Sequence, residues 1–249
     1  MTAETAARAL ADAFRSRSLV DPPEEAALAD GYAVQRLAVE AAGGDIAGWK
    51  IGATNEKACA LLKTDGPFYG PIMASANVSG EANVAAPPGL AAAEIELAFR
   101  LAADLPRRAE PYTIDELRAA IASAHPAIEL IGVRQKLAGP LTAARAIPDF
   151  GGNVLFTAGA AIDGWQDVAA CEIAACCLVN GEEKNAGTAD IVLGDPLESL
   201  RWLADNGPGL RAGQWISTGT ITGVTPVRAG DSVTGDFGVR GSISIRLDV

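Results

Sequence analysis

The chain has 249 residues, 49% hydrophobic and 20% charged, and its 20 Lys+Arg against 31 Asp+Glu give a formal net charge of −11. That balance excludes a disordered chain, gives enough apolar residues for a core without staples, and opposes binding to a phosphate backbone, since no basic cluster interrupts the acidity. The single histidine excludes multi-histidine zinc and two-histidine iron sites, and Cys59, Cys171, Cys176 and Cys177 form no C-x-x-C, so any chemistry falls to carboxylates, lysines, arginines and backbone.

Residues 2–18 place Ala6, Leu10, Ala13 and Phe14 at helical spacing, and Asp21-Pro22-Pro23 ends that helix. A second helix is expected over 24–42, with Leu28, Tyr32, Leu37 and Ala41 inward and Gly43-Gly44 as its stop. Residues 46–52 read as a short strand, and Thr54 or Asn55 caps a short helix through Leu62. The stretch DGPFYGP (65–71) reads as turn throughout. Residues 92–101 alternate Ile95, Leu97 and Phe99 against Glu94 and Glu96, the pattern of a strand. Thr113-x-x-Glu116 is a capping box opening a helix to about Ala124, with an apolar strand over 127–131.

Residues 138–153 read as a long loop. Strands are expected near 154–162 and 168–179, then an Asn180-Gly181 hairpin turn, a helix near 196–205 after Gly194-Asp195-Pro196, and short strands at 213–219, 231–237 and 241–247. Helices first and mixed strands later point to an α+β fold with a β-rich core. The longest uncharged stretch, 212–227, is rich in Gly and Thr and contains Pro226, so it is no membrane span. Glu4, Arg8 and Asp12 stand where a signal peptide needs an apolar run, which leaves a cytoplasmic protein without membrane or nucleic-acid partners as the expectation.

Glu94 and Glu96 share a strand face about 7 Å apart, where at an effective dielectric of about 20 two charges repel by roughly 2–3 kcal/mol. A bound cation turns that repulsion into coordination, while a solvated face is the ordinary alternative for alternating acids. Glu129 is one carboxylate inside the apolar run HPAIELIG, which suits a third ligand for Mg²⁺ or, equally, a salt bridge to Arg134. Lys50, in GWKIG, has glycine on both sides of its tripeptide and is a candidate to orient a ligand carboxylate or to move a proton; a snorkelling surface lysine is the alternative. His125, before Pro126, is read as structural.

GWKIGAT, DGPFYGP, AEIELAF, HPAIELIGVR, LGDPLESLRWLA and LRAGQWISTGT follow in that order from about residue 46 to the C-terminus. Together they resemble the fumarylacetoacetate hydrolase superfamily, and within it the 2-keto-4-pentenoate hydratase and 4-oxalocrotonate decarboxylase branch. The resemblance implies a mixed β-sheet roll core with an N-terminal helical region, divided as 1–80 for the helical region with an active-site strand and loop, and 81–249 for the β-rich catalytic core. It implies Mg²⁺ or Mn²⁺ on Glu94, Glu96 and Glu129, an active-site lysine at Lys50, and acids at Asp65 and Asp149. It also implies a homo-oligomer, with a decarboxylase paralogue as a further partner.

Two departures accompany it. Branch members often carry a second acid where Phe68 stands, and superfamily hydrolases use a His–Glu pair for which His125, four residues before Glu129, is no obvious counterpart. The activity the resemblance implies is metal-dependent hydration of a 2-hydroxy-2,4-dienoate to a 4-hydroxy-2-oxo acid, in catabolism of aromatic compounds. Decarboxylation at the same metal, acylpyruvate-type hydrolysis, and a non-catalytic oxo-acid binding role are the alternatives.

Overall fold

The computed structural model describes residues 1–80 and 82–249. Helix α1 (Ala3–Ser16) starts where the Thr2 hydroxyl accepts from the Thr5 N–H, and it buries Ala6, Leu10 and Ala13. The second helix begins later than its spacing predicts. Residues 25–28 form a 3₁₀ turn, and the Asp30 carboxylate then accepts from the Ala33 N–H to open α2 (Gly31–Ala42). That restart rotates the buried face onto Val34, Gln35 and Ala38.

Strand β1 (Ile46–Gly52) and the Asn55-capped helix α3 (Glu56–Leu62) stand where the sequence places them. DGPFYGP does not: only its first residues turn, and β2 (Phe68–Met73) is a strand antiparallel to β1. Pro71 is tolerated because β2 lies at the sheet edge, where a missing N–H breaks no ladder. The short β3 (Asn83–Ala85) precedes β4 (Leu90–Leu101). The Thr113–Glu116 capping box forms, but α4 (Ile114–Ala119) ends after six residues. The chain then enters β5 (Ile121–Gly132), paired with β4 from Leu101↔Ile121 to Leu90↔Gly132. Alanine-rich 119–124 favours helix locally, yet burial against β4 outweighs that weak preference.

The 138–153 segment is largely loop, with a one-turn helix α5 (Ala143–Ala146), and it leads into β6 (Asn153–Ala158). Strands β7 (Ala174–Val179) and β8 (Glu182–Thr188) are joined by Asn180 and Gly181, both at positive φ (54° and 81°), as a two-residue hairpin turn requires. Asp195 caps α6 (Pro196–Asn206), and β9 (Trp215–Thr220), β10 (Thr225–Pro226), β11 (Ser232–Asp236) and β12 (Ser242–Asp248) complete the chain.

The strands make two mixed sheets in an α+β fold. One has the order β2-β1-β9-β4-β5-β6, with β10 added to β4; the other runs β3-β12-β11-β7-β8. One face of the larger sheet carries Ile95, Leu97, Phe99, Ile128 and Leu130 into the main core, shared with Val233, Ile245 and Leu247 of the second sheet. On its other face, Ile72 of β2 clusters with Phe156 and Ala158 of β6, so the sheet curls until its two edge strands meet. Among the described residues, no helix is long and apolar enough to cross a membrane.

Candidate metal centre

Alternation along β4 sends Ile95 and Leu97 into the main core and Glu94 and Glu96 onto the concave face of the curled sheet. Glu129 of β5 stands directly across from Glu94, and residues facing each other on an antiparallel pair share a face. Each of the three glutamates offers one carboxylate oxygen within 4.8 Å of the others. Glu96 and Glu129 are fully buried and Glu94 is 9% exposed. Lys50 comes from β1, in parallel register with Ser217 of β9, and its Nζ lies 3.4 Å from Glu129 Oε2. Lys50 therefore supplies the ion pair for Glu129. Arg134, the partner the sequence suggests, is paired instead with Asp149 at 2.8 Å.

Neighbouring strands fix the ligands. Glu96 Oε2 accepts from Ser217 Oγ (2.6 Å) and from the Gly219 N–H (2.9 Å). A register shift between the Glu96↔Thr220 and Ala98↔Ser217 pairs gives β9 an extra residue there, and this bulge turns the Gly219 N–H onto the carboxylate. Gly219 has φ 117°, and a Cβ at that position would collide with Thr54 Oγ1, so only glycine fits. Glu129 Oε1 accepts from Asn153 Nδ2 at 2.9 Å.

Burial pushes all three carboxyls above the usual range. Glu94 rises to about 7, with Lys50 opposing the shift and Glu129 adding to it. Glu96 rises well above its ordinary value, since Glu129 and Glu94 add repulsion to burial. Glu129 rises through burial against the opposing pull of Lys50 and Asn153. For Lys50, burial acts to lower its pKa, but Glu129, Glu94 and Glu96 outweigh it and the net direction is upward.

Among the described residues, the buried oxygens Glu96 Oε1 and Glu129 Oε2 accept no hydrogen bond, and the latter has only its ion pair with Lys50 at 3.4 Å. Buried acceptors are ordinarily satisfied, and a set of hard carboxylate oxygens at this spacing fits an oxygen-seeking divalent cation such as Mg²⁺ or Mn²⁺. The residues present therefore fit the metal the sequence suggests.

The other expected site residues are placed less uniformly. Asp149 is completely buried, and its oxygens accept from the Arg134 backbone N–H (2.6 Å), Arg134 Nη1 (2.8 Å) and Gln135 Nε2 (3.3 Å). Arg134 in turn donates to the Asn153 carbonyl (3.0 Å), so Asp149 reaches the Glu129 ligand only through Arg134 and Asn153. Asp65 is exposed in the turn before β2. Phe68 is buried, with Lys50 Nζ 5.5 Å from its ring centroid. His125 sits between Ser123 Oγ (2.7 Å) and the Gly159 carbonyl (2.8 Å), edge-on to Trp215. Open clefts of about 410 Å³ beside Arg134 and about 550 Å³ beside Trp202 are lined by neither Lys50 nor the three metal-site glutamates, of which Glu94 is the least buried.

Ser217, Gly219 and Asn153 carry no metal-site pattern of their own in the sequence. A glycine inside the strand-like STGT was the available signal, since such glycines mark bulges and close approaches.

The fumarylacetoacetate (FAA) hydrolase C-terminal family model matches residues 52–246. The chain is 31% identical to 2-oxo-hept-4-ene-1,7-dioate hydratase of Escherichia coli, over 90% of this chain and 88% of that protein. It is 28% identical to 2-keto-4-pentenoate hydratase of Paraburkholderia phymatum, over 96% and 95%. Among solved structures, 4-oxalocrotonate decarboxylase from Pseudomonas putida G7, complexed with magnesium and adipate, superposes with a TM-score of 0.85 at 26% identity, covering 98% of this chain and 97% of that one.

Proposed function

The chain belongs to the fumarylacetoacetate hydrolase family, and from that premise we propose that it is a Mg²⁺-dependent hydratase converting a 2-hydroxy-2,4-dienoate to a 4-hydroxy-2-oxo acid. The observation that carries the proposal is the pair of buried oxygens on Glu96 and Glu129 that accept no hydrogen bond, beside Lys50. Glu94, Glu96 and Glu129 would hold the divalent ion, which when bound would supply Lewis acidity toward the oxygens of the substrate.

The side chains do the rest. Lys50, kept charged by three carboxylates, has three N–H donors, and those not turned to Glu129 hold the substrate's carboxylate. Asp65, exposed in the turn that leads into Phe68, assists proton transfer and orients water for addition at C4. Asp149 acts at one remove. Its three hydrogen bonds hold Arg134, which holds the strand carrying Asn153 and so steadies Glu129.

Decarboxylation at the same centre is the second reading, favoured by the fold-level match to the decarboxylase. Hydrolysis is disfavoured because His125 is committed to Ser123 and Gly159. The test follows the ultraviolet absorbance of freshly generated 2-hydroxypenta-2,4-dienoate with Mg²⁺ and with EDTA. Metal-dependent loss with 4-hydroxy-2-oxopentanoate as product is expected, and Glu96→Gln is expected to lose Mg²⁺ binding and turnover together. An unchanged rate in that variant sinks the reading.

A further inference from the structure

The centre has one apolar wall, and Phe68 sets it. Phe68 pairs with Gly52, and Gly70 with Lys50, so the phenyl ring lies on the same face of the sheet as the Lys50 side chain. With Lys50 Nζ 5.5 Å from the ring centroid and 3.4 Å from Glu129 Oε2, the ring stands no more than about 9 Å from that carboxylate. Gly52 makes room for it, since a Cβ there would come within 2.6 Å of the ring's Cζ.

Behind the ring lies an apolar cluster separate from the main core. Ala53, Ala143 and Ala146 are buried in it, with Leu62, Leu141 and Ile147 packed around them. Tyr32 and Cys59 complete the cluster. Arg145, between two of its members, turns away to the Pro23 carbonyl and Glu25, and Asp65 in the preceding turn is an acid. Lys50, the one cation at the centre among the described residues, already faces three carboxylates.

We propose that Phe68 is a specificity-determining residue, selecting 2-oxo and 2-hydroxydienoic acids whose far end is apolar and rejecting those that end in a second carboxylate. The proposal rests on the reading that a 2-oxo acid binds at Glu94, Glu96 and Glu129. A chain of several carbons anchored there extends far enough to meet the ring. A terminal carboxylate against Phe68 loses its water and gains no donor beyond Lys50, whose N–H groups are already committed to Glu129 and the anchored carboxylate, whereas an alkyl end gains burial.

The experiment is calorimetric titration of the Mg²⁺-loaded protein with 2-oxohexanoate and 2-oxohexanedioate, which match in length and differ only in a terminal methyl or carboxylate. The monoacid is expected to bind at least about tenfold more tightly, about 1.4 kcal/mol. Phe68→Arg is expected to reduce or invert that ratio, and Phe68→Leu to keep it. Phe68→Ser, which removes the wall without adding bulk, replaces the arginine variant where that one fails to fold. The ratio is the readout because general loosening of the fold weakens both ligands alike. Equal affinities, a preference for the diacid, or a ratio unmoved by both Phe68→Arg and Phe68→Ser overturns the proposal and leaves the oxo-acid centre standing. Binding of neither acid overturns both.

Discussion

Lys50→Met removes the cation that faces three buried carboxylates while keeping most of the side chain's bulk. At 3.4 Å and an effective dielectric of about 20, the attraction between Lys50 and Glu129 is about 5 kcal/mol. Removing one partner of a buried pair costs about 3–5 kcal/mol in practice, because the other charge is left uncompensated. For a chain of this size, that lowers the melting temperature by roughly 6–20 °C. The loss must depend on pH. Above about 7, Glu94 is ionised in the parent and the full penalty applies; as the pH falls through that value, a protonated carboxyl needs no cation and the penalty shrinks. Melting in EDTA at pH 8 and pH 6 measures the difference, and Mg²⁺ at pH 8 should restore much of the loss by replacing the missing charge. An equal loss at both pH values, or a variant indifferent to Mg²⁺, refutes the electrostatic account of the centre.

Mg²⁺ affinity should weaken on acidification below about 7, by about tenfold per pH unit where one proton competes, since burial raises Glu94 to about 7 and the ion must displace that proton. Calorimetry from pH 5.5 to 8 in buffers of different ionisation enthalpy reads both affinity and proton release; a flat profile across that window contradicts the assignment. Gly219→Ala should lose about 1–3 kcal/mol of stability through its 117° φ and the collision with Thr54, and should bind Mg²⁺ less tightly because the donor to Glu96 shifts. Adding Thr54→Ala should recover part of the stability. Unchanged melting and affinity in the single variant count against a role for the bulge.

What the sequence discloses about this centre is uneven, for physical reasons. Alternation along β4 exposes Glu94 and Glu96 as a pair on one face, because a period of two is a local property. Glu129 stands out because a lone charge in an apolar run demands a partner. Which partner it takes is not local: Lys50 reaches it across two intervening strands, while the nearer Arg134 is claimed by Asp149. The same limit explains the turn chemistry read into Phe68 and Tyr69, which pair with β1 as an edge strand, and the helix read into 121–124, which β4 captures. Asn55, Asp195 and the Thr113–Glu116 box act within three residues of themselves, and each caps the helix expected of it. Ser217, Gly219 and Asn153 owe their roles to strand register alone.

The parallel pairing of β1 with β9 also sets an order of events during synthesis. Lys50 aligns with Ser217, about 170 residues further along the chain. At translation rates of about 5–20 residues per second, the Lys50 strand waits roughly ten to thirty seconds for the neighbour that seats it. Lys50 is synthesised before Glu94, Glu96 and Glu129, but β9, the strand that joins β1 to β4, comes after all of them. A nascent chain stalled ahead of Trp215 thus lacks the strand that links β1 to β4, and with it Ser217 and the seat of Lys50.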